Sequence, residues 1–217
     1  MRAYVVEHPE GAFTQVDLPR PSPSAGQVLV RVHASGVNPL DTKIRAGRAA
    51  HAKQPLPAVL GLDMAGVVEE VGAAVTAFRP EDEVYGMVGG VAGLQGTLAE
   101  FIVAGADLLA LKPKSLTMRE AAALPLITIT AWEGIVDRAE VHAGQKVLVH
   151  AGAGGVGHIA VQLAKAPVPR SSPQSLPAKN TSSNSSAQLP STTAPSPPSS
   201  TLTSSPRVRV STSSTTP

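Results

Sequence analysis

This chain of 217 residues contains no cysteine and few aromatic residues, with one Trp, two Tyr and three Phe. The absence of cysteine excludes disulfides, a thiolate nucleophile and a cysteine-ligated metal. No apolar run is long enough to span a bilayer, and no cleavable signal pattern opens the chain. We therefore expect a cytoplasmic protein without a membrane partner.

Acidic residues are absent from the last quarter of the chain. Residues 167–217 hold 16 Ser, 8 Thr and 10 Pro, but no Asp, Glu or Gly. Such a segment has too little apolar surface to offset the entropy of ordering, so we predict a disordered tail. The tail carries four of the 18 basic residues, which leaves 14 against 16 acids in residues 1–166. The net charge of +2 thus arises from the tail and is no argument for a nucleic-acid partner.

Residues 1–112 have the pattern of a β-rich module. Short Val- and Leu-rich runs alternate there with segments rich in Gly and Pro, which is typical of an all-β barrel or sandwich. A short helical segment at 38–46 interrupts the strands. The predicted strands are 2–7, 13–18, 28–34, 65–71, 83–88, 98–103 and 108–111.

Helices are predicted after this module. Thr117 and Glu120 have the spacing of a capping box, so a helix is expected to begin there. A second helix is predicted from about Thr130 to Ala139, with Trp132 in the core. The change from strands to helices predicts two domains with a boundary near residues 115–125.

The segment 146–165 reads as a strand, a glycine turn and a helix. The unbroken run Val147, Leu148 and Val149 predicts a strand buried on both faces. Apolar residues at helical spacing follow the turn and predict an amphipathic helix. A parallel sheet needs a second strand soon afterwards, yet the only strand-like stretch beyond Lys165 is 207–210.

The glycine turn predicts a dinucleotide site. Gly152, Gly154 and Gly157 match G-x-G-x-x-G, in the strand-to-helix context that the motif requires. Glycines let backbone N–H groups approach a pyrophosphate, and the helix N-terminus favours the same anion. The motif's third element, a carboxylate about 20 residues on that binds the ribose, is missing, because no Asp or Glu follows Lys165.

Several stretches together resemble one family. They are SGVNPLD with IRAG (35–47), LGLDMAGVVEEVG (60–72), AAALPLITITAWEGI (121–135) and VLVHAGAGGVGHIAVQLAK (147–165). In this order and spacing they resemble the zinc-independent, zeta-crystallin-like quinone oxidoreductase branch of the medium-chain dehydrogenase/reductase superfamily. The resemblance implies an α/β protein, with a GroES-like β-barrel domain at 1–120 and an incomplete Rossmann domain at 121–166 before the tail at 167–217.

The same resemblance implies a function. It is NADPH-dependent hydride transfer to a quinone or to an activated alkene such as an enone or enal. NADH stays an alternative coenzyme because the segment that chooses between the two is not in this chain, and we allow for a homodimer. The family's zinc-dependent members carry a Cys near the position of Asn38 and a His-Glu pair at Leu62-Asp63, so no metal is expected. The implied catalytic residues are Asn38 and Asp41, and the implied cofactor-binding residues are Thr130, Gly152, Gly154, Gly155, Val156 and Gly157.

Several of these residues have a structural alternative. Asn38 precedes proline and is a natural turn starter, and Asp41 can be an N-cap or first-turn acid of a short helix. Thr130 can be a helix N-cap with Glu133 as its partner. Glu81 stands where the family has glycine; if its φ is positive, it costs about 1–2 kcal/mol.

Two rival functions remain open at this point. The first is a non-catalytic remnant of such an enzyme that cannot hold cofactor, with a tail that is frame-shifted or spliced. The second is an interaction protein whose Ser- and Pro-rich tail binds partners.

Overall fold

A computed structural model describes residues 1–166 and the backbone of Val210–Ser213. The predicted disordered tail, 167–217, otherwise lies outside the described residues. The strands of the first part are β1 (Arg2–Val6), β2 (Phe13–Asp17), β3 (Gln27–Ser35), β4 (Ala58–Val59), β5 (Asp63–Val71), β6 (Glu83–Met87), β7 (Phe101–Gly105) and β8 (Ala110–Leu111).

The strands form two antiparallel sheets. Five strands lie in the order β7-β3-β5-β6-β8, and three lie in the order β2-β1-β4. A bridge between Ala3 and Ala99 links β1 to the segment before β7. The predicted β-rich module is confirmed, although β4 was missed because its two residues lie inside a Pro-rich segment that resembles a turn.

The core of the larger sheet follows from alternation along its strands. Val28 and Val30 on β3 pack against Met64 and Val68 on β5, and all four are fully buried. Side chains two residues apart on a strand point to the same face, so these valines share one side of the sheet. Their burial holds β3 against β5, the strand on which the candidate site is built.

Two short helices pack against the strands. Helix α1 (Pro39–Arg45) follows β3, and helix α2 (Met118–Ala122) begins at the predicted capping box. Glu120 Oε2 accepts from the backbone N–H of Thr117 at 2.8 Å, and the Thr117 hydroxyl accepts from the N–H of Glu120 at 3.3 Å. Ala121 and Ala122 pack on Ala65 of β5, so α2 lies on the sheet.

The next helix begins earlier than the sequence pattern indicated. Helix α3 spans Pro125–Trp132 and continues as a π-helix over Glu133–Arg138. The predicted start near Thr130 is wrong, because Pro125 at the first helical position already presets the helical φ. Trp132 is not in the core: it is 41% exposed, and its Nε1 donates to Asp137 Oδ1 at 3.1 Å.

The strand–turn–helix segment forms a separate small core. Strand β9 (Lys146–Val149) and helix α4 (Gly155–Lys165) match the prediction. Ala131, Ile135 and Ala160 are buried between α3, the π-helix and α4. The apolar stripe predicted for α4 is therefore confirmed, since this stripe is what packs on α3.

Strand β9 differs from its prediction in two ways. Leu148 is 57% exposed, so the strand is not buried on both faces. Within residues 1–166, helix α4 packs against β9, but helices do not cover both faces of the strand. The strand also has a neighbour, because the backbone of β10 (Val210–Ser213) pairs with it antiparallel, Val210 opposite Val149. Among the described residues, β9 thus has an antiparallel neighbour and not the parallel second strand of a doubly wound sheet.

Candidate functional site

The glycine turn presents its open side to solvent. Gly154 is the N-cap of α4 in an extended conformation, without a side-chain cap. Gly154 and Gly155 are exposed, and within residues 1–166 the N–H groups of Gly155 and Val156 have no backbone partner outside the helix. First-turn N–H groups have no partner inside a helix either. The turn can therefore bind an anion with backbone donors and the positive end of the helix.

Glycine is needed at the positions of the motif for different physical reasons. A Cβ on Gly157 would lie 2.0 Å from the carbonyl oxygen of Ala151, so only glycine permits the close packing of helix on turn. A Cβ on Gly152 would meet nothing closer than 3.7 Å. This pattern fits a dinucleotide turn, in which one glycine serves helix packing and others leave room for the pyrophosphate.

Asn38 and Asp41 form the start of α1. Asn38 is the N-cap in an extended conformation, and its backbone N–H donates to Asp41 Oδ2 at 2.7 Å. The structural alternative for both residues is therefore confirmed: Asn38 starts the helix and Asp41 is an acid of its first turn. This role does not use all of either side chain: the Asn38 amide nitrogen donates to Asp63, and Oδ1 of Asp41 accepts no hydrogen bond from the described residues.

Asp63 is the residue that sequence reasoning missed as part of the site. It has no exposed surface, and its Oδ2 accepts from Asn38 Nδ2 at 2.9 Å. The backbone N–H of Leu126, in the first turn of α3, donates to Oδ1 at 3.2 Å and to Oδ2 at 3.3 Å. One carboxylate thus joins the start of β5, the N-cap of α1 and the first turn of α3.

Burial dominates the electrostatics of this carboxylate. It raises the pKa of Asp63 to about 6, because the charged form is poorly solvated inside the protein. The hydrogen bonds from Asn38 and Leu126 act to lower the pKa, and the negative charge of Asp41 acts to raise it. Asp63 is therefore mostly ionised at neutral pH and takes up a proton in mildly acidic solution.

The signal that could have found Asp63 lies in the segment LGLDMAGVV, residues 60–68, where one acid interrupts an apolar run. A buried strand rarely carries an unpaired carboxylate. Its partners could not be read from the sequence, since Asn38 lies 25 residues before Asp63 and Leu126 lies 63 residues after it.

An apolar cleft of about 420 Å³ opens beside α1. Asp41 lines it and is only 9% exposed, and its Oδ1 accepts no hydrogen bond from the part of the chain that the structure describes. Burial raises the pKa of Asp41, while N–H groups of Asn38 and Gly61 act in the opposite direction. The remaining lining is largely apolar or aromatic and includes Tyr4, Phe13, Val37, Leu60 and Leu98, with Arg45 as its cation.

Thr130 lies inside α3, and its hydroxyl donates to the carbonyl oxygen of Leu126 at 2.7 Å. It is therefore not an N-cap, and that structural alternative is wrong. Thr130 is exposed. It shares α3 with Leu126, which contacts Asp63, and with Ile127, whose side chain lies 3.4 Å from the position of a Cβ on Gly155.

Helix α3 thus relates the two halves of the predicted site. Its first turn contacts the cluster of Asn38 and Asp63, and it packs on α4 beside the glycine turn. The structure brings Asn38, Asp41 and Asp63 into direct contact. It places the glycine turn on the neighbouring side of the same helix, without a hydrogen bond to that cluster among residues 1–166.

Among the described residues, no group of three or more His, Asp or Glu side chains is arranged to hold a metal ion. None of the helices in this part of the chain has the length and apolarity needed to cross a membrane.

Comparison with known proteins gives consistent relationships. The alcohol dehydrogenase GroES-like domain family matches residues 24–114. An NADPH-dependent alkenal/one oxidoreductase of Arabidopsis thaliana, named as chloroplastic, is 48% identical over 144 residues, covering 64% of this chain and 37% of that protein. A quinone oxidoreductase of Sus scrofa is 40% identical over 167 residues, covering 76% of this chain and 49% of that protein.

A solved structure also superimposes well. An alcohol dehydrogenase superfamily protein from Novosphingobium aromaticivorans matches with a TM-score of 0.75 and 60% identity, over 76% of this chain and 50% of that one. The chain spans about half, or less, of the length of these relatives. By its GroES-like domain, its glycine turn and these matches, the chain resembles the medium-chain dehydrogenase/reductase superfamily and is similar to the quinone and alkenal/one oxidoreductases.

Proposed function

We propose that this chain carries the substrate end and the diphosphate end of an NADPH-dependent oxidoreductase site that reduces a quinone, an enone or an enal without metal. The observation that supports this most directly is the glycine turn at 152–157. Its first-turn N–H groups face solvent, and Gly157 has no room for a side chain. The relatives named quinone oxidoreductase and alkenal/one oxidoreductase supply the reaction class.

The residues present fit a dinucleotide. Gly154, Gly155, Val156 and Gly157 would hold the diphosphate through backbone N–H groups and the helix dipole. Thr130 would contact the cofactor from α3. A bound nicotinamide supplies the hydride, and the chain supplies position, hydrogen bonds and exclusion of water.

Asn38 and Asp41 would act at the reacting end. The Asn38 amide nitrogen can donate to the carbonyl oxygen of a substrate and stabilise the negative charge that develops there. Asp41 would orient Asn38, because its Oδ2 accepts from the Asn38 backbone N–H at 2.7 Å. The cleft beside Asp41 has the mostly apolar lining that suits a small flat substrate such as a quinone.

The test is NADPH oxidation by the full chain with 1,4-naphthoquinone as acceptor, together with titrations of NADPH and NADH followed by fluorescence. We expect saturable NADPH binding, and turnover that falls in Asn38→Ala. Equal rates in the two proteins would remove Asn38 from the mechanism. Tighter binding of NADH than of NADPH would show that NADH is the coenzyme.

A second candidate is a folded but cofactor-free relative of these enzymes. The lack of any Asp or Glu after Lys165 favours it, since no carboxylate follows the turn to bind the ribose hydroxyls. Tight NADPH binding would dismiss this candidate, whereas a flat titration with an intact fold would establish it over the first.

Location and assembly belong to the same proposal. We infer a cytoplasmic enzyme, although the Arabidopsis relative is named as chloroplastic, and fractionation of cells that express the tagged chain would decide. A homodimer is expected to sediment at twice the mass of the chain, and a single monomeric species would contradict it.

A further inference from the structure

The amide nitrogen of Asn38 donates to the carboxylate of Asp63 at 2.9 Å, and the Asn38 side chain also acts to lower the pKa of Asp41 by hydrogen bonding. An ionised carboxylate only accepts hydrogen bonds, whereas a side-chain amide has a donor end and an acceptor end. The ionised Asp63 therefore selects one of the two orientations of the Asn38 amide. The flipped amide would place oxygen against oxygen in a buried setting and lose the bond.

Asp63 is itself held in place from two other directions. The N–H of Leu126 reaches both of its oxygens, and its own carbonyl oxygen accepts from the N–H of Gly36 at 2.9 Å. A Cβ on Gly36 would lie 2.9 Å from that of Asp63, so the segment before α1 packs directly on this residue. The carboxylate is thus a fixed reference for Asn38.

We propose that Asp63 is a positioning residue that fixes the Asn38 amide in the orientation in which its nitrogen, and not its oxygen, faces an oxygen of the ligand. This inference deepens the proposed function and rests on it for the identity of the ligand. The ligand class is a compound with a carbonyl oxygen, a quinone or an enone, that becomes more negative as it is reduced. A hydrogen bond to that oxygen strengthens during reduction.

Ionisation of Asp63 controls this arrangement. Once protonated, the carboxyl group can donate to the Asn38 oxygen, so the amide is no longer restricted to one orientation. The charged neighbour that acts on Asp63 is Asp41 on α1, whose negative charge opposes ionisation. On the packed strands, Tyr85 of β6 is opposite Ala65, and His33 of β3 lies between the partners of Gly66 and Ala65. Arg31 on β3 and Glu83 on β6 are both opposite Val67, four residues along β5.

The two helices that pack nearby add little charge. Helix α3 carries no titratable side chain in Pro125–Trp132. On α2, Arg119 and Glu120 are exposed, and the Glu120 carboxylate is bonded to Thr117. The pKa of Asp63 therefore depends chiefly on its burial and on the hydrogen bonds from Asn38 and Leu126, and Asp41 is the charged neighbour with a smaller effect.

The experiment follows the side-chain amide of Asn38 by ¹⁵N NMR in the uniformly labelled full chain between pH 5 and 8, with Asn38→Asp used to assign the signal pair. We expect the Asn38 signals to shift with a midpoint near pH 6. The shift should disappear in Asp63→Asn, which keeps the size of the side chain, and persist in the matched variant Asp41→Asn. Asn38 signals that do not move in the wild-type chain would overturn the proposal, as would a titration that survives in Asp63→Asn.

The wild-type measurement keeps the proposal falsifiable even if a variant fails to fold. A second readout is the pH dependence of kcat/KM with 1,4-naphthoquinone, which should lose a limb near pH 6 in Asp63→Asn. A chain that binds no NADPH but shows the Asn38 titration would refute the proposed function and its ligand, and would support the positioning of Asn38 by Asp63. A chain that binds NADPH without the titration would do the reverse.

Discussion

Gly157 offers the sharpest test of the turn geometry, because a side chain there would meet backbone atoms. A Cβ at this position would lie 2.0 Å from the carbonyl oxygen of Ala151 and 2.9 Å from the Cα of Gly152. Non-bonded heavy atoms prefer about 3.5–4.0 Å. The substitution Gly157→Ala must therefore displace the start of α4 from the turn by about 1 Å or more.

The magnitude follows from two opposing effects. Overpacking of a close contact costs about 1–3 kcal/mol, while alanine favours the helix over glycine by about 1 kcal/mol. We expect a net loss of up to about 2 kcal/mol in the free energy of unfolding, concentrated in β9 and α4. Displacement of the helix N-terminus should also weaken NADPH binding, since the backbone donors no longer converge.

The assay combines urea denaturation of the full chain with hydrogen exchange over 155–165, and the matched control is Gly152→Ala. A Cβ on Gly152 meets nothing closer than 3.7 Å, so this variant should unfold within about 0.5 kcal/mol of the wild type. Unchanged stability and exchange in Gly157→Ala would refute the reasoning. Equal destabilisation by both variants would refute it too, because the contact with Ala151 would then not be the cause.

Three further predictions concern the barrel and the cluster. Glu81 has a φ of 73° and no side-chain partner among the described residues. The substitution Glu81→Gly should therefore relieve about 1–2 kcal/mol of backbone strain. The greater freedom of the unfolded glycine chain should offset about 0.5–1 kcal/mol of that gain. Thermal melts should show this gain but none in Glu81→Ala, and a gain in the alanine variant would point to the carboxylate instead. The pKa of Asp63 rises on folding from 3.8 to about 6, so the folded state binds more protons in that interval and stability falls as pH rises, by up to about 3 kcal/mol. Burial also raises the pKa of Asp41, which adds to this dependence of stability on pH. Urea denaturation at pH 4, 5 and 6 should show a weaker pH dependence of the unfolding free energy in Asp63→Asn than in the wild type. An unchanged pH dependence would show that another group is responsible. Asn38→Ala should lower kcat with 1,4-naphthoquinone about 10- to 100-fold if its amide stabilises developing charge, and stopped-flow rates matching the wild type would exclude that role.

The cluster around Asp63 shows where sequence reasoning stops. The local roles of Asn38 and Asp41 could be read from four residues, because a capping box depends only on neighbours in the chain. The bond between Asn38 and Asp63 joins α1 to a strand 25 residues away. No local sequence pattern relates residues so far apart. The polar partner of Asn38 is therefore visible only in the structure, in which β3 pairs with β5.

The helical part shows the same limit in another form. Apolar spacing predicted α4 correctly, because its stripe extends over the length of an isolated helix. It misplaced the start of α3 and the environment of Trp132, since a carboxylate from β5 binds the first turn of α3 and an ordinary helical period fails across the following π-helix.

The sequence by itself determined the alternation that forms the sheets, the helix starts set by Thr117 and Asn38, and the strand–turn–helix that suits a diphosphate. All of these depend on residues close together in the chain. Three outcomes required the assembled fold: the carboxylate that the Asn38 amide faces, the exposure of Leu148 and the strand that pairs with β9. Each of those outcomes depends on what segments distant in sequence bury against one another, and burial is a property of the assembled fold.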